Sequence, residues 1–383
     1  MNTSVRRTKA PRDKSPHVWE GADIFTWFRI LAKGRAKVSP RFLGVALRTC
    51  VVSVVNSVLR WSQTGQYGDK IRETQIDKAP VFILGHWRSG TTLLHELMIM
   101  DDRHSSPNTW QCMSPHHFLI TQTFAIECLA WLLPDRRPMD NMAAGWAKPQ
   151  EDEFALAMLG MPSTYLNIAF PNADPIDADA LDLENLPAWQ LRAWKRALML
   201  FLKAVTLRTP NRLILKSPTH TCRIPTLLEM FPDARFIHIV RDPYVVYPST
   251  MHLWKSLSAK HGLQVGKHDG LQKRVIDTYL HMHERLASGR QLLAPNRFAE
   301  IRYEDLLADP IGQMGQLYGQ LELGDFENIR HSLEAWHTGN TGYETNRYTV
   351  TPEETALVAE KWHETIARYG YDRTAKPTGK RIA

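Results

Sequence analysis

The chain has 383 residues and only four cysteines, Cys50, Cys112, Cys128 and Cys222, with no CxxC pair among them. Their spacing fits no zinc motif, and free thiols suit a reducing cytoplasm. Sixteen histidines include no HExxH, the metalloprotease signature. No internal repeat and no long low-complexity tract interrupts the sequence. No apolar core of a signal peptide follows the polar, proline-flanked "RRTKAPRDK", so residues 1–16 read as a disordered basic arm.

What is present is ordinary globular material, 43% hydrophobic and 23% charged. A chain of this length builds one large domain or two ordinary ones. The net charge of +7 suits an acidic small ligand, nucleic acid or an anionic membrane, and does not choose among them. One apolar stretch, Phe42 to Leu59, invites comparison with a membrane span. Thr49, Ser53, Asn56, Ser57 and Arg60 recur there at helical spacing and mark one polar face, the pattern of an amphipathic helix rather than a spanning one. Such a helix docks on the protein's own body, on a membrane surface, or on a partner chain such as a second copy.

Residues 17–78 read as helices with a turn signal, "TGQYGDK", near their end. The apolar run Val81–Leu84 reads as a buried strand, followed by a helix from Thr91 to about Met100. Residues 101–208 read as helical and irregular, with several proline breaks. Further strands are expected at Arg212–Lys216, Ala234–Val240 and Arg297–Tyr303. Helices are expected from Pro225, between Leu271 and Leu293, and as a single tail element over Thr351–Gly370. Strands separated by helices imply a parallel sheet with both faces covered, an α/β fold.

The first strand leads into "GHWRSGTTLL". Gly85 and Gly90 are separated by four residues, as in the phosphate-binding pattern G-x-x-x-x-G-K-[ST], but Thr91 and Thr92 stand where the lysine and hydroxyl residue belong. Without that lysine, ATP or GTP hydrolysis is disfavoured. A strand–loop–helix of this kind aims backbone N–H groups and a helix N-terminus at an anion. Arg88 adds a planar fork suited to phosphate or sulfate, and Ser89, Thr91 and Thr92 add hydroxyls.

This segment resembles the 5′-phosphosulfate loop of the sulfotransferases that use 3′-phosphoadenosine 5′-phosphosulfate (PAPS), in particular the arginine-bearing branch that includes bacterial and tyrosylprotein sulfotransferases. Cytosolic members carry a lysine in this loop, so Arg88 is its stand-in. A second segment, "FPDARFIHIVRDPYVVYPS", resembles the family's 3′-phosphate element, with Arg241 and Ser249 at the matching spacing of eight. Independently of the resemblance, an arginine leaving a buried strand at its carboxyl end sits where open α/β sheets bind ligands. "IRYEDLLADP" resembles the stretch whose tyrosine approaches the nucleotide, here Tyr303. Arg347 in "ETNRYTV" matches a basic segment that closes the nucleotide site. The resemblance spans residues 79–371 and implies a P-loop-type sulfotransferase domain over 79–383, preceded by a helical extension over 17–78 that carries no family motif. It also implies PAPS as donor and no metal.

Sulfuryl transfer to a hydroxyl asks for charge stabilisation at the leaving oxygen, worth on the order of 3 kcal/mol per aimed donor, and for a base worth roughly 10²- to 10⁴-fold. Arg88 is the first candidate donor, and Lys216, at the end of the second expected strand's "LILK", is the second. For the base the family patterns fail. "SSPNTWQCMSPHHF" lacks the glutamate that tyrosylprotein sulfotransferases place after the first helix, and Pro218 stands where cytosolic enzymes have histidine. The remaining candidates are Glu151 and Glu153, with Asp152 between them, where crowding is expected to raise one pKa; then His220; then His116 and His117. Residues 101–208 are expected to hold the acceptor, a small-molecule, lipid or carbohydrate hydroxyl. Trp110, Phe118, Phe124, Trp131, Trp146, Phe154 and Tyr165 supply aromatic surface for its pocket or for the core. A nucleotide kinase or triphosphatase, and a PAPS-binding protein without catalysis, are the competing readings. Nucleic-acid binding has no fold motif to support it. The expected location is cytoplasmic, with peripheral membrane contact through residues 42–60 as an addition to it.

Overall fold

The computed structural model describes residues 15–133, 144–339 and 350–372; the arm over residues 1–14 and Arg347 lie outside them. Five parallel strands, β1 (Val81–Leu84), β2 (His104–Ser105), β3 (Arg212–Lys216), β4 (Arg235–Val240) and β5 (Phe298–Arg302), form one sheet in the order β2-β3-β1-β4-β5. Alternate residues of these apolar runs feed two different cores. Phe82, Leu84, Leu213, Leu215 and Phe236 meet the long helix Ala188–Arg208 on one face. Val81, Ile83, Ile214, Ile237 and Ile239 meet α3 (Thr91–Met98) and the helix Pro310–Gln320 on the other. A strand buried on both faces has no polar side to alternate with, which is why the runs are nearly continuous. β2 has two residues and gave no periodic signal.

The first helices, α1 (Ile24–Lys33) and α2 (Leu43–Glu73), belong to the same body. Val18, Trp19, Trp27 and Ile30 share a core with Trp87, Met158, Phe170 and Leu253. The turn expected at "TGQYGDK" is absent; α2 runs through Gly65 and Gly68 for 31 residues. It docks on the body, but by its polar stripe. Thr49, Ser53, Asn56 and Gln63 are its buried residues. Asn56 donates to the carbonyls of Glu20 and Ala22 at 2.7 and 2.9 Å, Ser57 accepts from the Ile24 amide at 3.0 Å, and Gln63 accepts from the Leu119 amide at 2.8 Å. The tail forms two helices, Pro352–Lys361 and His363–Tyr369, where one was expected. Trp362 breaks them apart by turning into the core, where it stacks on Tyr279 with ring centroids 3.7 Å apart.

The carboxyl edge of the sheet is bridged by the short helix Asp152–Met158. Glu153, fully buried, accepts from Arg223 at 2.6 Å, from Ser163 at 2.6 Å and from Thr219 at 3.0 Å. Arg223, equally buried, also donates to the carbonyls of Ala180 and Leu181 and lies over the Trp194 ring. Removing one partner of such a pair strands the other charge. Glu153→Ala is expected to cost roughly 3–5 kcal/mol of unfolding free energy, read from urea denaturation; a loss below about 1 kcal/mol would contradict this placement.

Candidate functional site

Three carboxyl strand ends converge on one cleft: the loop after β1, Lys216 at the end of β3, and Arg241 immediately after β4. Open α/β sheets bind ligands at this edge. The loop requires its glycines. Gly85 has φ +148, and a Cβ there would stand 2.6 Å from the Ile239 carbonyl oxygen; Gly90 has φ +100, and a Cβ would stand 2.2 Å from the Tyr303 ring. Arg88 itself adopts φ +73, a left-handed conformation that costs a non-glycine residue energy. Both the amide and the hydroxyl of Ser89 donate to the His86 carbonyl, at 3.1 and 2.8 Å, so this hydroxyl closes the loop from within. The first-turn amides of α3 lack intrahelical acceptors and face the cleft side with Thr91 and Thr92.

The two segments that the sequence assigned to opposite ends of a nucleotide are in contact. Arg88 donates from Nε to Ser249 Oγ at 2.8 Å, and Arg241 donates to the Arg88 carbonyl at 3.3 Å. The Arg241 guanidinium lies 4.2 Å above the Tyr303 ring, and that ring in turn presses on Gly90. The local sequence explains the arrangement. Asp242 caps the helix Pro243–His261 by accepting from the Tyr244 amide at 2.8 Å, and Pro243 occupies its first turn. Ser249 then falls two turns along, on the side that Arg241 faces.

Opposite the loop lie the three acids. Consecutive residues at a helix start point about 100° apart, and each finds its own partner. Glu151 accepts from Lys216 Nζ at 2.7 Å and from the Tyr165 hydroxyl, which itself accepts from Trp87 Nε1 at 3.1 Å. Lys216 also reaches Thr92 Oγ1 at 3.4 Å. Asp152 accepts from His220 at 2.7 Å and from Ser217 at 2.9 Å. Burial opposes its charge, but the facing His220 and these hydrogen bonds outweigh it and hold Asp152 below the usual carboxylate range. The crowding expected to raise a pKa is thus absent for Asp152, because its neighbours diverge. Burial and the Glu151 carboxylate push the Tyr165 phenol well above its ordinary value, so it stays protonated as a donor.

Arg88, Gly90, Thr91, Thr92, Glu151, Arg241 and Tyr303 line the cleft together. Lys216 is buried just beneath it, and Ser249 is held on Arg88. Glu153 and His220, both candidates for the base, are instead fully buried in the ion pairs with Arg223 and Asp152, away from the cleft wall. His116 donates from Nε2 to the Met158 carbonyl at 2.9 Å, and His117 is engaged by Thr121 and Asn56. Burial lowers the His117 pKa to about 4. Of the aromatics, Phe154 and Tyr165 line this cleft, Trp110 and Trp146 line a second one, Phe118 is core, and Phe124 and Trp131 are exposed. The wall is completed by Val18, Leu253, Leu257 and His261, which sequence reasoning missed. Val18 reaches the site through its amide, which donates to His261 Nδ1 at 3.2 Å across 243 residues, a pairing with no local signal.

Comparison with known proteins agrees with this geometry. Omega-hydroxy-beta-dihydromenaquinone-9 sulfotransferase Stf3 of Mycobacterium bovis and of Mycobacterium tuberculosis is 47% identical over 381 residues, covering 99% of this chain and 98% of the relative. Carbohydrate sulfotransferase 5 of Mus musculus is 26% identical over 156 residues, 37% of this chain and 38% of its own. The fold is shared with sulfotransferase STF9 of Mycobacterium avium, at a TM-score of 0.69 and 18% identity over 96% of this chain and 98% of that one. Residues 80–328 match the profile of the sulfotransferase family, and with that match and a 47% identical relative along nearly its whole length the chain belongs to this family.

Proposed function

We propose that this sulfotransferase moves the sulfuryl group of PAPS onto the hydroxyl of a lipid-class alcohol, with Glu151 as the general base. The observation that carries this reading is the position of Glu151 on the cleft wall, across from the Arg88 loop and 2.7 Å from Lys216. The donor fits the residues present. One side of the cleft offers two guanidiniums, two threonine hydroxyls and the start of α3, all suited to anions; Met113, Phe154, Leu253 and Leu257 make the other side apolar. Bound there, PAPS supplies the sulfuryl group and departs as 3′,5′-diphosphoadenosine. Arg241, Ser249 and Tyr303 are assigned to its 3′-phosphate half, and Arg88, Gly90, Thr91 and Thr92 to its 5′ half.

In this scheme Glu151 orients the acceptor hydroxyl and takes its proton as the acceptor oxygen forms its bond to sulfur. The bond from sulfur to the 5′-phosphate oxygen breaks in the same event, and the negative charge that gathers on that oxygen faces Arg88 and Lys216. Lys216, already bonded to both Glu151 and Thr92, links the proton-accepting side to the leaving side.

Two findings support an apolar acceptor. The mycobacterial relatives are sulfotransferases of a hydroxylated dihydromenaquinone. A cleft of about 300 Å³ runs from Val52 on α2, past Trp110, Leu129, Leu132 and Trp146, and shares Val18, Met113, Gln150 and His261 with the donor cleft. We assign it to the acceptor's hydrocarbon portion. The kinase reading requires a lysine where Thr91 stands. Cytoplasmic placement and the absence of a metal remain part of this reading.

Glu151→Gln is expected to lower kcat roughly 10²- to 10⁴-fold while 3′,5′-diphosphoadenosine affinity, measured by calorimetry, stays within about twofold. Retained turnover would remove Glu151 from the role. Arg241→Ala is expected to weaken that nucleotide by about 1–3 kcal/mol; unchanged affinity would separate Arg241 from the 3′-phosphate. In a thermal-shift comparison, 3′,5′-diphosphoadenosine is expected to raise the Tm more than ATP does at equal concentration, and the reverse order would favour the kinase reading.

A further inference from the structure

The helix α2 is amphipathic the wrong way round for a soluble body. Its hydroxyl and amide stripe is buried, and Leu43, Leu47, Val51, Val54, Val58 and Trp61 face outward. The exposures decide the point: Leu47 is 69%, Val51 61% and Trp61 74% exposed. Spacings of four, four, three, four and three residues place these side chains on one continuous stripe. The neighbouring α1 adds Phe25 and Phe28, three residues apart and both outward, at 75% and 56% exposure. A contiguous apolar surface of this extent marks an interaction site.

The charge around the stripe selects its occupant. From Ile24 to Gly68 the sequence contains no aspartate and no glutamate, while Arg35, Lys37 and Arg41 stand exposed in the connection between α1 and α2; Arg48 flanks the stripe with its charge paired to Glu20 at 2.6 Å. We propose that this face docks on an anionic lipid bilayer, α2 lying in the plane of the headgroups with its apolar stripe in the acyl boundary. Apolar residues including tryptophan with flanking Lys and Arg are the chemistry of interfacial helices. A second copy of the chain, applied face to face, would bring the exposed cations Arg35, Lys37 and Arg41 of both copies together; an anionic bilayer complements them.

The bonds of the polar stripe decide between lying on a membrane and crossing one. By length and composition α2 is able to span. Yet Asn56, Ser57 and Gln63 are bonded to the backbone of residues 20–24 and 119, and Lys203 donates to the Arg72 carbonyl at 2.8 Å near its end. A helix fastened to a water-soluble body along its length presents one face only. The docked orientation has a use, since the apolar cleft that joins the donor site has Val52 of α2 in its wall. An acceptor dissolved in the bilayer thus has its way to Glu151 beside the anchored helix. This last point rests on the lipid-acceptor reading; the docking itself does not.

The test is co-sedimentation of the full chain with vesicles of phosphatidylcholine alone and of phosphatidylcholine containing phosphatidylglycerol, without nucleotide or acceptor. Binding is expected to the anionic vesicles at least fivefold above the neutral ones, and to fall with added salt. The variant Leu47→Ser/Val54→Ser/Val58→Ser is expected to lose at least tenfold in vesicle binding while its Tm and its 3′,5′-diphosphoadenosine affinity match the unaltered chain. Absence of binding by the unaltered chain overturns the proposal, as does a variant that binds equally well. A concentration-dependent dimer in light scattering that the triple variant dissociates, without vesicle binding, assigns the face to a second copy and likewise overturns it. Because the readout contains no sulfuryl transfer, its failure leaves the assigned reaction untouched, and failure of that reaction leaves the docking untouched.

Discussion

Lys216 is a charge buried at the end of a central strand, and the site is organised around its neutralisation. An ammonium taken out of water is costly unless it is paired and hydrogen-bonded. Glu151 supplies the pair, and that requirement draws residues 149–153 across the carboxyl edge of the sheet. The two acids that follow are then committed to the interior, where Asp152 meets His220 and Glu153 meets Arg223. A single run of three carboxylates therefore divides its labour by direction. One remains at the cleft wall and two fasten the segment that holds it there.

The opposite wall obeys a different constraint, that of close approach. Gly85 and Gly90 allow the loop backbone to lie against the Ile239 carbonyl and the Tyr303 ring. The same ring carries Arg241 on its face. The loop after β1 and the segment after β4, about 150 residues apart in sequence, thus share one aromatic side chain as a common base, which fixes their spacing without any covalent tie. Cation–π contact of this kind is worth about 0.5–2 kcal/mol, enough to orient a guanidinium while leaving its donors available.

Much of this was legible beforehand, and the limits of legibility have physical causes. The strands at Val81, Arg212 and Arg235 were clear because doubly buried parallel strands are short, apolar and bounded by turn chemistry. That Arg88 to Thr92 and the pair Arg241/Ser249 come together was legible from spacing, because each follows a strand in one strand–turn–helix unit and both strands end at the same sheet edge. Which acid faces the cleft was not, since Glu151, Asp152 and Glu153 are equivalent as a string of letters and differ only in where helical rotation sends them. The polarity of α2 was visible in sequence, but which face would be covered was not: that depends on backbone groups of residues 20–24 and 119, far away in the chain. His261 and Val18 were missed for the same reason.

That last pairing gives residues ahead of the family-matched span a share in the cleft. The matched region begins at residue 80, yet Val18 contributes to the wall of the cleft, and Trp19 anchors it by donating to the His261 carbonyl at 2.7 Å. The cleft is only partly built by the segment that carries the shared motifs. Changes before residue 80 therefore reshape the cleft's wall while leaving the Arg88 loop and the Arg241/Ser249 segment as they are, so kinship in the motifs and the shape of the cavity beside them can drift apart within one lineage.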